Sequence, residues 1–78
     1  MQVYVLKSLI AKRFYVGMTM DAYNRLAQHN AGMTRSTKYL KPWIIVHVEE
    51  FPDAASARRR EKYLKSGAGR RYLKGLNL

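Results

Sequence analysis

The sequence contains no cysteine. This absence excludes disulfide bonds, thiolate zinc sites and cysteine nucleophiles, and it is typical of proteins that work in a reducing interior. Acidic residues are also scarce, because five Asp and Glu stand against 15 Lys and Arg, which gives a formal net charge of +10. A small domain with this excess of positive charge is expected to bind a polyanion, and nucleic acid is the most common one.

The sequence also lacks a long apolar run. The longest, WIIVHV at residues 43–48, is far too short to span a bilayer. The N-terminus does not have the basic and apolar segments of a signal peptide. We therefore expect a cytoplasmic or nucleoid-facing protein with no membrane association, and a length of 78 residues predicts a single domain over 1–78.

The hydrophobic pattern predicts an α+β fold in the order ββαβα, with one more short helix at the end. The predicted strands are rich in β-branched and aromatic residues and cover 2–8, 13–17 and 43–51. The predicted helices cover 21–31, 54–65 and 70–76, with capping residues at Thr19 or Asp21 and at Asp53. Residues 66–69, SGAG, are typical of a turn. The third strand is nearly all apolar, so we expect it to be central and covered on both faces.

The first two strands are expected to pair as a hairpin. A turn centred on Leu9 and Ile10 would place Tyr4 directly opposite Tyr15 on one face of the sheet. Because this turn lacks Gly and Asn, a longer or bulged loop is an alternative. Taken alone, a cross-strand pair of tyrosines is a common way to stabilise a sheet.

Three polar residues on the predicted helices change that interpretation. Arg25 and His29 are four residues apart and share a face of the first helix. Glu61 falls on the apolar face of the second helix, near Leu64. Each has an ordinary explanation alone: a solvated arginine, a histidine near a helix C-terminus, and a partner of Lys65. Together with the two tyrosines, they predict one polar site in a basic protein.

These residues resemble the GIY-YIG nuclease domain in its small, stand-alone form. Residues 3–5, VYV, and 15–17, YVG, are similar to its two motifs, and residues 25–30 follow its R-L-x-x-H-N pattern. The tract 60–70, REKYLKSGAGR, is similar to the end of such members. Val3 stands where the first motif has glycine. The resemblance covers about residues 2 to 73.

The resemblance implies a three-stranded antiparallel sheet flanked by helices, and metal-dependent hydrolysis of a phosphodiester. It assigns five roles. Tyr15 would be the general base, Tyr4 would hydrogen-bond within the same site, Arg25 would contact the scissile phosphate, His29 would orient water or assist proton transfer, and Glu61 would be the one protein ligand of Mg²⁺ or Mn²⁺.

The scarcity of carboxylates agrees with a single metal ion. Asp21 and Asp53 are at helix starts, and Glu49 and Glu50 are neighbours on a strand and point to opposite faces, which leaves Glu61. One carboxylate completed by water and phosphate is normal for Mg²⁺. An unperturbed tyrosine has a pKa of about 10, so a base at Tyr15 would need Arg25, Lys7 or bound water to favour the phenolate. Activity should therefore rise toward alkaline pH.

Basic residues outside this set are candidates for binding the phosphates of a nucleic acid. They are Lys7, Lys38, Lys41, Arg59, Arg70 and Arg71. The function predicted from the sequence is a DNA endonuclease directed by the structure or damage of its substrate, with DNA favoured over RNA. Targeting would come from substrate shape, a homodimer or a protein partner. Two alternatives stay open at this point: a non-catalytic nucleic-acid-binding module on the same fold, and an RNA-binding domain with structural tyrosines.

Overall fold

The computed structural model describes residues 1–78 and has three β-strands and three α-helices. The strands are β1 (Gln2–Ser8), β2 (Phe14–Thr19) and β3 (Trp43–Glu50), the helices are α1 (Ala22–Asn30), α2 (Ala54–Lys65) and α3 (Gly67–Gly75), and a short 3₁₀-helix covers Lys38–Leu40. The strands form one antiparallel sheet in the order β2-β1-β3. The predicted α+β fold is confirmed. None of the helices combines the length and the apolar character that crossing a membrane requires.

The central strand is β1, and the prediction that the third strand is central was wrong. β1 pairs with β2 on one side and with β3 on the other, so β3 is an edge strand, and its Ile44 is 40% exposed. An apolar run indicates a strand with two covered faces, but β1 also has one: its residues Val3–Leu6 are all buried. The apolar content of β1 and β3 therefore does not show which of them is the central strand, because the order of the strands in the sheet depends on the whole topology.

The register of the hairpin also differs from the prediction. Tyr4 pairs with Gly17, and Tyr15 pairs with Leu6, so the hairpin is shifted by two residues. The connection is longer than a two-residue turn, because residues 9–13 separate the two strands. The Ser8 hydroxyl oxygen accepts hydrogen bonds from the N–H groups of Ile10 and Ala11 in this loop, at 3.1 and 3.2 Å. A shift of two residues keeps every side chain on its predicted face. Both tyrosines therefore remain on one face, but diagonal to each other.

The two faces of the sheet carry separate apolar clusters. Alternate residues of β1 and β2 pack under α2 and α3, with a core formed by Val3, Val5, Val16, Ala57, Leu64 and Leu73. The opposite face packs under α1 and the loop before β3, with a core formed by Tyr4, Leu6, Ala22 and Trp43. Val3 thus points away from Tyr4, so a valine in place of the family's glycine fills the α2/α3 core without entering the surroundings of the tyrosines.

The ends of α1 and α2 agree with the predicted signals. The Asp21 carboxylate accepts a hydrogen bond from the N–H of Asn24 at 3.1 Å, and the Asp53 carboxylate accepts one from the N–H of Ser56 at 2.7 Å. Gly32 takes a left-handed conformation with φ of 78° just beyond α1. These caps fix where each helix begins, and therefore which side chains face the sheet.

The start of α3 was predicted incorrectly. Residues 66–69 are not a free turn: Ser66 caps α3, and its hydroxyl accepts a hydrogen bond from the N–H of Gly69 at 3.2 Å. Gly69 is buried against the backbone of Leu64 in α2, where a Cβ would clash. This glycine therefore allows two helices to approach closely, and glycine in a sequence does not distinguish that role from a turn.

Candidate active site

Tyr4 lies at the centre of the face covered by α1, with only 1% of its surface exposed. Its ring lies across Gly17, where an added Cβ would be 2.6 Å from the Tyr4 Oη. The shifted register therefore places the one residue without a side chain opposite the buried tyrosine. Tyr15 stands diagonally beside it, with the two ring centroids 6.3 Å apart.

A chain of hydrogen bonds connects Tyr4 to the loop after α1. Tyr4 Oη lies 2.9 Å from His29 Nε2, His29 Nδ1 lies 2.7 Å from Thr37 Oγ1, and the Thr37 hydroxyl donates to the Thr34 carbonyl oxygen at 3.4 Å. A hydroxyl that donates to a carbonyl accepts from the other side, so His29 carries its proton on Nδ1 and accepts from Tyr4 on Nε2. Tyr4, His29 and Thr37 are all buried.

The electrostatics agree with this direction of donation. Burial, together with the nearby Tyr15 and Glu61, raises the pKa of Tyr4 to about 12, although Arg25 acts in the opposite direction. Burial also lowers the pKa of His29, and the positive charge of Arg25 adds to that effect. At neutral pH, Tyr4 is therefore a protonated donor and His29 a neutral acceptor.

Tyr15 differs from Tyr4 in its access to solvent. Its ring meets the His29 ring edge-on at a centroid distance of 4.8 Å and reaches Trp43 at 6.5 Å. The side chain is only half-buried, and its hydroxyl makes no hydrogen bond with the protein, yet no buried polar atom lacks a partner. The Tyr15 hydroxyl is therefore open to solvent, beside the buried Tyr4–His29 pair.

Arg25 and Glu61 complete the cluster from two different helices. Arg25 donates from Nη1 to Gln28 Oε1 at 2.6 Å, and its charge acts on the pKa values of both Tyr4 and His29. Glu61 comes from α2, with 16% of its side chain exposed, and its charge acts on the pKa of Tyr4. The structure thus places Tyr4, Tyr15, Arg25 and His29 together, and the charge of Glu61 acts on this group from α2.

Comparison with known proteins bears on this cluster. The family model described as the GIY-YIG catalytic domain matches residues 1–76. The chain belongs to the GIY-YIG family. A UPF0213 protein of Staphylococcus haemolyticus is 36% identical over 61 residues, which is 77% of this chain and 74% of that relative. A UPF0213 protein of Halobacterium salinarum is 38% identical over 53 residues, 67% of this chain and 69% of that relative. No solved structure gives a significant match.

As a GIY-YIG domain, the chain is of a nuclease type whose substrate is nucleic acid. GIY-YIG nucleases generally use divalent metal ions. Within this chain, no group of three or more His, Asp and Glu side chains lies close enough to hold a metal by itself. Glu61 still fits such an ion, because Mg²⁺ accepts a single carboxylate when water and phosphate oxygens complete its shell. Glu49 does not compete, since Arg60 donates to both of its oxygens at 2.8 and 3.0 Å.

The predicted phosphate-binding residues do not form one surface. Lys38 and Lys41 lie near Gly32 at the end of α1, on the loop that also carries Thr37. Arg59 donates to Ser56 at 3.4 Å and Arg71 lies beside Gly67, both on exposed helix surfaces. The remaining two, Lys7 and Arg70, line a cavity next to α3.

Lys7 does not take the place expected of it beside Tyr15. In β1 it alternates with Tyr4 and Leu6, so its side chain is on the α2/α3 face, whereas Tyr15 packs with His29 on the α1 face. Its Nζ donates to the Leu78 carbonyl oxygen at 3.2 Å. Arg25 is therefore the cation that the structure places with the tyrosines.

Two residues support the site without having been given a role from the sequence, although Asn30 is part of the R-L-x-x-H-N pattern. Thr37 holds His29, but its segment showed only a basic loop with several hydroxyl residues. Asn30 donates from Nδ2 to the Trp43 carbonyl oxygen at 2.9 Å and accepts from the Trp43 N–H at 2.7 Å, which ties the end of α1 to the start of β3. Trp43 is buried, and its indole N–H donates to the Thr37 carbonyl oxygen at 2.9 Å.

Proposed function

We propose that this chain is a metal-dependent endonuclease that hydrolyses phosphodiester bonds in DNA and is directed by the structure or damage of its substrate. The observation that carries the proposal is the contrast between the two tyrosines. Tyr4 is locked as a hydrogen-bond donor to His29, while Tyr15 has a hydroxyl open to solvent directly beside it. A rigid support next to one accessible proton acceptor is the arrangement that general-base catalysis needs.

Tyr15 would act as the general base on the attacking water. A free phenol is mostly protonated at neutral pH, so proton transfer from water to the Tyr15 oxygen would be coupled to release of the phenol proton to solvent. The exposed position of the hydroxyl permits that release. His29 would contribute through Tyr4 rather than by touching water, because both ring nitrogens are occupied and the residue is buried.

Arg25 would supply the positive charge at the scissile phosphate. Its guanidinium is near both Tyr4 and His29, and one of its nitrogens is anchored on Gln28. Other N–H groups of the same fork can reach a phosphate oxygen as charge-assisted donors. In an enzyme with one protein carboxylate at the site, this arginine would provide stabilisation that a second metal ion supplies elsewhere.

Glu61 would hold the Mg²⁺ or Mn²⁺ ion. When bound, such an ion would offset negative charge on the phosphate and the leaving oxygen. For the ion to bind, the Glu61 carboxylate must release Lys65, whose Nζ lies 3.3 Å away. The lysine is half exposed, and exposed pairs of this kind contribute only about 0.3–0.5 kcal/mol. The competing lysine would therefore be displaced easily.

The single site implies that residues 1–78 cut one strand in each catalytic event. Two cuts across a duplex would need a homodimer, a protein partner or two successive visits. The fold, the cluster and the charge support a nucleic-acid substrate, which we propose to be DNA, and substrate shape would determine where cutting occurs.

The proposal is tested by cleavage of single strands, duplexes, flaps, branched junctions and structured RNA in Mg²⁺ or Mn²⁺. Wild type is compared with Glu61→Gln, with Tyr15→Phe, and with Glu50→Gln, a control that neutralises an exposed carboxylate on β3. Binding is measured in parallel in EDTA. Metal-dependent cutting of DNA that is lost in the first two variants, while binding and the control remain normal, supports the proposal. Binding without cutting by wild type would indicate a nucleic-acid-binding module instead, and preferred cutting of RNA would overturn the choice of DNA.

A further inference from the structure

A large cavity lies next to α3, on the face of the sheet opposite Tyr4. Its volume is about 620 Å³. It is bounded by the loop end of the β1–β2 hairpin, by α3 and by the last residues of the chain. We call it the basic groove, because five cationic side chains line it: Lys7, Lys12, Arg13, Arg70 and Lys74.

No acidic side chain offsets the positive charge of the basic groove. No Asp or Glu side chain lines it. The one hydrogen bond made by these five side chains is from Lys7 Nζ to the Leu78 carbonyl oxygen, and none of the five forms an ion pair with an Asp or Glu side chain. Five like charges around one cavity repel each other and raise the free energy of the folded state. An anionic ligand would remove this repulsion.

The basic groove continues to the candidate active site. A smaller cavity of about 170 Å³ shares Phe14, Arg70 and Leu73 with it and is also lined by Tyr15 and Lys65. β2 is an edge strand, so a ligand can pass around it from Tyr15 on one side to Arg70 on the other. A line of cations thus begins at the accessible tyrosine and ends at Lys12 and Arg13.

From this continuity we infer that the basic groove binds the phosphodiester backbone of a nucleic-acid strand on one side of the bond that is cut. The direction of the strand relative to the cut rests on the proposed function. Binding of the strand in the basic groove does not. Lys and Arg side chains bind phosphates without reading bases. The groove would therefore add affinity for any strand of sufficient length and no sequence preference.

The binding test compares two variants with the same change in charge. Lys12→Gln with Arg13→Gln removes one lysine and one arginine from the groove, and Arg58→Gln with Lys62→Gln removes one of each from α2, outside both cavities. All four side chains are exposed and none takes part in a hydrogen bond or ion pair, so both variants should fold. Affinity for a fluorescent 30-nucleotide single strand is measured by anisotropy in EDTA over a series of salt concentrations.

Loss of two phosphate contacts lowers the slope of log K against log salt by about 1.4, at about 0.7 for each contact with a single strand. At 0.1 M salt this corresponds to a rise in Kd of up to about 25-fold. We expect that change in the groove variant and little change in the control. Equal losses in both variants, or no loss in either, would overturn the inference. Stronger groove-dependent binding of poly-glutamate than of the oligonucleotide would also overturn it, in favour of an acidic protein partner.

A cleavage test then addresses the direction of the strand. For a long substrate, the groove variant should have a lower kcat/KM than the α2 control. For a substrate trimmed to one or two nucleotides on the groove side of the cut, the two should be equal. If the groove variant still had the lower kcat/KM on substrates trimmed on both sides of the cut, the proposed path of the strand along the basic groove would be refuted. Absence of cleavage by wild type would reject the proposed nuclease function alone, because the binding test in EDTA stands without it.

Discussion

Replacing Gly17 with alanine tests whether contact between Tyr4 and the β2 backbone positions the candidate site. The new Cβ would lie 2.6 Å from Tyr4 Oη and 2.7 Å from Cζ, both far inside van der Waals contact. Tyr4 is buried and hydrogen-bonded to His29, so the ring cannot move without breaking that bond. Overpacking of this kind costs about 1–3 kcal/mol. Loss of a glycine also restricts the unfolded chain, which offsets about 0.4–1 kcal/mol.

Gly75→Ala is the matched control, because nothing lies within 4 Å of a Cβ added at the end of α3. In both variants the loss of a glycine restricts the unfolded chain. The difference between their free energies of unfolding therefore gives the cost of the clash alone, about 1–3 kcal/mol. For a domain of this size, each kcal/mol corresponds to about 4–8 °C in Tm. Urea denaturation measures the free energy of unfolding, and cleavage assays follow the site. If the two variants proved equally stable, the register that places Gly17 against Tyr4 would be refuted.

Three further predictions concern the hydroxyl groups of the site. Thr37→Val leaves the His29 Nδ1 proton without a buried acceptor and should destabilise the protein by about 1–3 kcal/mol in urea denaturation, whereas an unchanged stability would refute the hydrogen-bond chain. Tyr15→Phe should lower kcat by about 10²–10⁴-fold without changing stability, and the rise in activity toward alkaline pH should disappear; equal turnover in both proteins would contradict the base assignment. The pKa of Tyr4 is raised to about 12, so the stability from its protonated form is complete below pH 10 and is lost as the pH rises to 12. At about 1.4 kcal/mol per pH unit, the difference in unfolding free energy between wild type and Tyr4→Phe should fall by about 3 kcal/mol over that range, and a constant difference would show that Tyr4 is not buried as a donor.

The sequence predicted the elements of the fold better than their arrangement. β1 and α2 were predicted with the observed bounds, because local patterns and the cap at Asp53 determine them. Strand order and hairpin register were wrong, because they depend on contacts between distant residues. The role of Gly69 was missed for the same reason, since its neighbour is the backbone of a different helix.

For the candidate site too, the sequence predicted which residues take part better than how they are arranged. The five residues of the site could be chosen from the sequence because their spacing matches a family pattern. Their environments could not, because burial is a property of the assembled sheet. Thr37 illustrates the limit: a threonine in a basic loop has no feature that distinguishes it from its neighbours until the loop folds over His29.

Strand order is what makes the two tyrosines chemically different. In the sequence each is a tyrosine between β-type residues, and nothing distinguishes their acidity. Tyr4 is on the central strand, so neighbours cover it from both sides and burial raises its pKa to about 12. Tyr15 is on an edge strand, where its hydroxyl remains open to solvent. We therefore expect proton exchange with water at Tyr15 on the edge strand, and a supporting role for Tyr4 on the central strand.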